Sequence, residues 1–220
     1  MTENINKALK FLQQTYDNSA YFEDHPSEKE YRYQHTLRVS HIAETLAEKE
    51  NLDKDIVVIG ALLHDISYAK GFKTEQEHKN HGRTSAKMVS SFLGELDLTN
   101  QQIDEILLGI ACHVDGDPMR DGSLTTNALT ISDSDNLDRF DIYRVIENMN
   151  YNGFFEKSVK EKIDFLEEKI ARKALLLEVE EEFVTKTSKQ MWRDRISKHQ
   201  EIYADLLTQL KSGFLFDQDK

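Results

Sequence analysis

The stretch IVVIGALLHDISYA, residues 56–69, decides the fold. Its first eight residues, Ile56 to Leu63, are apolar on every side, which fits a helix buried on most faces or, taken in isolation, a buried strand. The Asp53-Lys54-Asp55 start and the helical spacing of the neighbouring segments decide for helix. The run ends on His64-Asp65, two polar side chains set where apolar sequence turns polar. Adjacent helical residues lie about 100° apart. Both therefore reach one point only near a helix end, and the polar segment after Ile66 supplies that end.

Working outward, nearly every long segment has helical periodicity. Ile5, Leu9, Leu12 and Tyr16 mark a first helix, and residues 17–30 read as a polar loop. His35, Val39, Ile42 and Leu46 share one face of the next helix. Residues 66–80 read as a loop long enough to carry function, a candidate gate over a site. A helix is expected over Thr84 to Leu96, with Val89, Phe92 and Leu93 inward. Another carries Ile103, Ile106, Ile110 and His113 on one face, and residues 114–123 form a turn-rich loop. Ala128, Ile131, Asp135, Asp138, Ile142 and Val145 line a further helix. After a turn at 151–153 come two long helices, over 156–182 and 187–211. The expected fold class is all-α, with a helical core over residues 1–150 and a more charged C-terminal helical pair over 151–220 packed on the same domain.

Composition narrows the function. The 220 residues are long enough for a substantial core. Two prolines and nine glycines argue against a turn-rich β fold. The net charge of −12 excludes sequence-independent nucleic-acid binding, which needs a basic surface to displace counterions. Cys112 has no second cysteine to pair with, which fits a reducing cytoplasm. The opening MTENINKALKFLQQTY is too polar for a signal peptide, and no apolar run approaches the ~20 residues of a membrane span.

The candidate chemistry lies in a dispersed series: His35, His64-Asp65, His81, His113 and Asp135. His35 falls on the Val39/Ile42/Leu46 face, and Asp135 on the Ile131/Ile142/Val145 face, where a lone carboxylate is costly unless paired or metal-bound. Asp135 could instead answer Arg139 at i+4. Imidazole with carboxylate suits Mn, Fe, Co, Ni or Zn better than Ca, and the absence of thiolates argues against structural zinc. His25, His41 and His78 read as ordinary polar residues, His199 as packing and Cys112 as a small core residue.

Several motifs in order carry a family resemblance: HTLRV at 35–39, GALLHDI at 60–66, HGRTSA at 81–86, IACHVDG at 110–116 and SDSDNLDRF at 132–140. Over residues 30–150 the series resembles the H…HD…D signature of the HD-domain superfamily, and the C-terminal helices resemble the tail of its small stand-alone bacterial hydrolases. The resemblance implies an HD-type helical bundle with a divalent ion (Mn, Co, Ni, Fe, Mg or Zn) on His35, His64, Asp65 and Asp135. It also implies a metal-dependent phosphohydrolase acting on a nucleotide or similar small phosphorylated metabolite. A divalent ion lowers the pKa of bound water and screens phosphate charge. Asp65 would bridge to a second ion or accept a proton. His81 and His113 would hold that second ion or serve the substrate, with one tightly held ion the preferred count. Arg38, Arg83, Lys70 and Lys73 are candidate phosphate neutralisers, and Asp138 a further substrate-binding residue or base.

Departures from the family narrow it further. Tyr68 stands where some nucleotide-cleaving branches carry an acid, there is no Gly-Tyr-Pro triplet of the cyclic-di-GMP branch, and no synthetase or regulatory domain is expected. An HD-type diiron oxygenase and a non-catalytic, metal-stabilised binding module are the alternatives. The expected state is a cytoplasmic monomer or homodimer.

Overall fold

The computed structural model describes residues 1–119 and 121–213. Among them every regular element is helical. No helix there is long and apolar enough to cross a membrane. The chain divides into two compact units: Met1–Asp138 with Val184–Ser188, and Arg139–Phe183 with the described part of Lys189–Lys220. The expected boundary at residue 150 therefore lies inside the second unit.

The first unit is built around α4 (Lys54–Leu63). Asp53 caps it, its side chain accepting from the N–H groups of Asp55 and Ile56. All eight residues from Ile56 to Leu63 are buried. Burying one Val, Leu or Ile contributes about 1.5–3 kcal/mol, enough collectively to carry polar groups into the same interior. Around α4 pack α1 (Glu3–Asp17), α3 (Pro26–Glu50) and α7 (Asn100–Cys112), with α6 (His81–Leu93) on α7. Residues 17–30 are not a plain loop. A short α2 (Ala20–Asp24) forms on a Ser19 cap, and Pro26 starts α3 at the position where its missing N–H costs nothing. At the other end of α3, Asn51 takes a left-handed conformation that its short polar side chain tolerates.

The expected loop at 66–80 holds a 3₁₀ turn, Ile66–Lys70, and a short α5, Glu75–Lys79. The next helix begins at His81 rather than Thr84. α8 (Thr126–Arg139) approaches α7 closely at Gly109, where a Cβ would run into Ile131 Cδ1.

The second unit corrects two expectations. The helix expected through Val145 breaks after Arg139, because Asp141 turns its side chain to the N–H of Ile142 and starts α9 (Ile142–Tyr151). The helix expected over 156–182 is three pieces: α10 (Val159–Ala171), α11 (Lys173–Glu178) and a 3₁₀ turn, Val179–Glu182. The long α12 (Lys186–Ser212) follows. Val145, Met149, Phe154, Leu166 and Tyr203 form this unit's core.

Candidate metal centre

Three imidazoles owe their orientation to local backbone. α4 ends at Leu63, so His64 and Asp65 leave the helix together and both face one point. His64 Nδ1 lies 2.7 Å from the carbonyl of Ala61. His113, just past the end of α7, repeats the bond to Ile110 at 2.7 Å, and His81 at the start of α6 repeats it to His78 at 2.6 Å. Each ring bonds the carbonyl three residues back. A carbonyl only accepts, so each Nδ1 carries the proton and each neutral ring presents a lone pair at Nε2. His35 is held differently: its Nδ1 donates to Asp138 Oδ2 at 2.7 Å, a contact spanning 103 residues of chain.

The four Nε2 atoms converge on two carboxylates. His35 Nε2 is 3.1 Å from Asp135 Oδ1 and 3.8 Å from Asp65 Oδ2. His64 Nε2 is 3.8 Å and 3.6 Å from the same two oxygens. On the far side, Asp65 Oδ1 lies 3.2 Å from His81 Nε2 and 3.5 Å from His113 Nε2. All six side chains are buried. His64 Nε2 and Asp65 Oδ1 have no hydrogen-bond partner. A buried polar atom left unpaired is costly. Here both orphaned atoms belong to residues whose ligand atoms lie within 4.8 Å of one another, a spacing that suits coordination of a shared cation.

Two groups of ligand atoms are close enough to hold an ion: His35, His64 and Asp135, and His64, Asp65 and His113. The donor chemistry, imidazole nitrogen with carboxylate oxygen, fits a divalent transition metal. Tyr68 contributes no ligand at the position where some branches carry an acid. His81 and His113 raise a separate question, because their Nε2 atoms are 3.1 Å apart. With both Nδ1 protons on carbonyls, two lone pairs face each other, and a proton or a cation must lie between them.

Charge states follow from the same packing. Burial alone would strip His35 of its proton, but hydrogen bonds to Asp135 and Asp138 outweigh it and raise the imidazole to about 9. Burial drives His64 down to about 4. Burial works against the charge on Asp65, yet the imidazoles of His64, His113 and His81 hold it well below the usual carboxylate range. Asp135 is likewise held low against burial, chiefly by His35.

The family now follows. The model of the HD domain matches residues 32–139. The chain carries an HD domain. HD domains bind divalent metal ions, and the His/Asp cluster could hold one. Two solved structures share the fold. A predicted HD superfamily hydrolase from an uncultured Thermotogales bacterium is 21% identical, with a TM-score of 0.63 over 93% of this chain and 91% of its own. An HD-superfamily hydrolase from Bacillus thuringiensis is 20% identical, with a TM-score of 0.62 over 94% and 95%. No curated protein matches the chain.

The structure brings His35, His64, Asp65, Asp135, His81 and His113 together. The remaining expected site residues are not among these six. Asp138 was expected on the substrate; it is buried, with Oδ2 taken by His35 and both oxygens gripped by Arg38 at 2.7 and 3.2 Å. It orients His35 from behind and is held low, against burial, by that histidine and Arg38. Arg38 is thereby engaged with Asp138. Arg83 donates to both oxygens of Asp115, to the carbonyl of Asp117 and to Asn80, pinning the loop after α7. Lys70 and Lys73 are exposed, outside the cluster. Arg32, missed by the sequence reading, sits at the cluster: its Nη1 donates to Asp65 Oδ2 at 3.3 Å. Its signal was its spacing, three residues before His35 on the same helix face.

Proposed function

We propose that the protein is a metal-dependent phosphohydrolase that cleaves a phosphoester or phosphoanhydride bond of a nucleotide or similar small phosphorylated metabolite. One observation carries the reading: four imidazole Nε2 atoms converge on Asp65 and Asp135, with His64 Nε2 and Asp65 Oδ1 unpaired. The hydrolase relatives of the same fold support it.

His35, His64, Asp65 and Asp135 would hold the ion. When bound, the ion supplies a water of lowered pKa and screens phosphate charge. His35 would be steadied by Asp138, so that its Nε2 lone pair stays aimed inward. Asp65 would help to hold the ion, with His81 and His113 beside its Oδ1. With a proton on Nε2, those two rings would donate to phosphate or hand that proton to a leaving oxygen. Burial of the whole cluster strengthens each of these interactions by excluding water.

A second reading has a specific observation behind it. The facing Nε2 atoms of His81 and His113, with Asp65 Oδ1 beside both, suit a second ion. Two irons and an oxygen requirement would turn the assignment toward an oxygenase. The test is release of phosphate and pyrophosphate across nucleotides and phosphorylated metabolites, with protein loaded in turn with Mn, Co, Ni, Fe, Mg and Zn, alongside metal counting. Metal-dependent release that EDTA abolishes supports the proposal. Stoichiometric metal uptake with no release from any substrate would overturn it.

A further inference from the structure

Three arginines lie near the cluster, and their donors are spent very differently. Arg38 grips Asp138 through Nε and Nη2, and Arg83 is spread over Asn80, Asp115 and Asp117. Arg32 bonds the Tyr68 side chain and reaches the carboxylates by one long contact, Nη1 to Asp65 Oδ2 at 3.3 Å, where a good charge-assisted bond measures about 2.7–2.9 Å. Its Nε is buried without a hydrogen-bond partner, as is that of Arg83. The guanidinium carbon lies over the Tyr68 ring, 3.4 Å from its centroid, with the centroid of Tyr31 at 5.4 Å. The Tyr68 hydroxyl in turn meets His78 Nε2 at 3.0 Å, which fastens this ring within the 66–80 segment. The side chain retains 20% exposure, so solvent reaches one part of it.

We infer that Arg32 is the receptor for the anionic phosphoryl group of the substrate, exchanging its weak contact with Asp65 for the incoming phosphate. The inference rests on the proposed function and adds to it the group that recognises the charge. The cluster holds Asp65, Asp135 and Asp138, all buried, so an anion approaching it needs positive charge beyond Arg38, which answers Asp138. Arg32 supplies that charge beside the carboxylate through which the ion would be held. Guanidinium geometry matches two phosphate oxygens at once. Contact with the Tyr68 ring holds the guanidinium in advance, so little rotamer freedom is lost when phosphate arrives.

Inorganic phosphate titrated into Mn-loaded protein, with Mn stoichiometry and affinity measured on the same samples, tests the assignment. Arg32→Gln is expected to weaken phosphate binding roughly 10- to 100-fold, the worth of a lost charged hydrogen-bond pair, at unchanged Mn affinity. Arg32→Lys, which keeps the charge but not the fork, should fall between and covers the case in which the glutamine variant folds poorly. Phosphate affinity within about threefold of wild type in both variants overturns the inference. So does a loss of Mn affinity that accounts for the whole effect, because Arg32 would then serve only to place Asp65. Wild-type protein that takes Mn but binds no phosphate overturns it as well. Wild-type protein that takes no divalent ion overturns the proposed function first and this inference with it.

Discussion

His64 and His199 make an instructive pair. Both are buried, both have an Nε2 without a hydrogen-bond partner, and burial lowers the pKa of both. Their surroundings differ. His64 faces two carboxylate oxygens at 3.6 and 3.8 Å, with the rings of His35 and His113 at 5.4 and 5.0 Å. His199, in the second unit, stacks near Phe140 at 6.1 Å and meets Tyr203 edge-on at 6.2 Å. An orphaned imidazole nitrogen is therefore not chemistry by itself. Convergence of carboxylates and further lone pairs on the same point makes it so.

The sharpest way to break this comparison is to remove each ring. His64→Ala and Asp65→Ala should lose the metal and with it activity, by more than the roughly 10- to 100-fold cost of a mere supporting partner. His199→Phe should keep full metal content by elemental analysis. Equal occupancy in folded His64→Ala and His199→Phe proteins would erase the distinction.

Next comes the far side of Asp65. His81→Ala and His113→Ala should each lower turnover roughly 10²-fold, as for a lost acid–base group, while the first ion stays bound. Loss of a second metal equivalent in both would establish a two-ion centre. Normal turnover with normal metal would reduce both rings to packing, on a par with His199.

The orienting partner ranks below the groups it orients. Asp138→Asn keeps the shape but removes the charge behind His35, and should weaken metal binding about 10- to 100-fold in chelator competition. No change would mean that Asp135 alone orients His35.

Backbone spacing gives a smaller effect. A Cβ at Gly82 would sit 2.8 Å from the carbonyl oxygen of Ile110 and 3.0 Å from His113 Nδ1. Gly82→Ala should cost about 1–3 kcal/mol by overpacking and misplace His113. Gly94→Ala, whose Cβ meets nothing closer than 3.4 Å, should melt with wild type. Thermal unfolding of the two variants separates them.

The smallest effect concerns Glu105, a buried carboxylate that needs no cation. Neutral donors satisfy it: Gln101 at Oε1, Thr125 and Asn127 at Oε2. Burial works against its charge, but these bonds hold its pKa below the ordinary 4.5. A carboxyl lowered in the folded state stabilises above the unfolded value and loses that contribution as pH falls through the folded one. Urea unfolding should therefore show a drop in stability below about pH 4.5 that is reduced in Glu105→Gln. An identical acid limb would show that the bonds contribute nothing to stability.

Much of the site was legible because its parts are local. Helical spacing put His35 and Asp135 on apolar faces, and the apolar run ending on His64-Asp65 marked a helix end. Three rings then take their direction from a carbonyl three residues back, within the same turn of chain. Where local signals competed, the reading slipped. The apolar face from Ile131 to Val145 stays in helical register across a break, so periodicity alone could not show that Asp141 starts a new helix. A charged stretch at 17–30 hid a capped turn of helix behind its polarity.

By itself the sequence determined that the chain is helical, where the buried run ends, and which residues carry ligand chemistry, because each depends on neighbours within a turn or two. The tertiary structure decided which groups are spent. Asp138 meets His35 and Arg38 across 103 and 100 residues, and Arg32 meets Asp65 across 33. Arginines look alike in sequence. Whether one faces a loop, a supporting carboxylate or the ligand cluster depends on contacts that form only when distant helices pack, and no local periodicity encodes them.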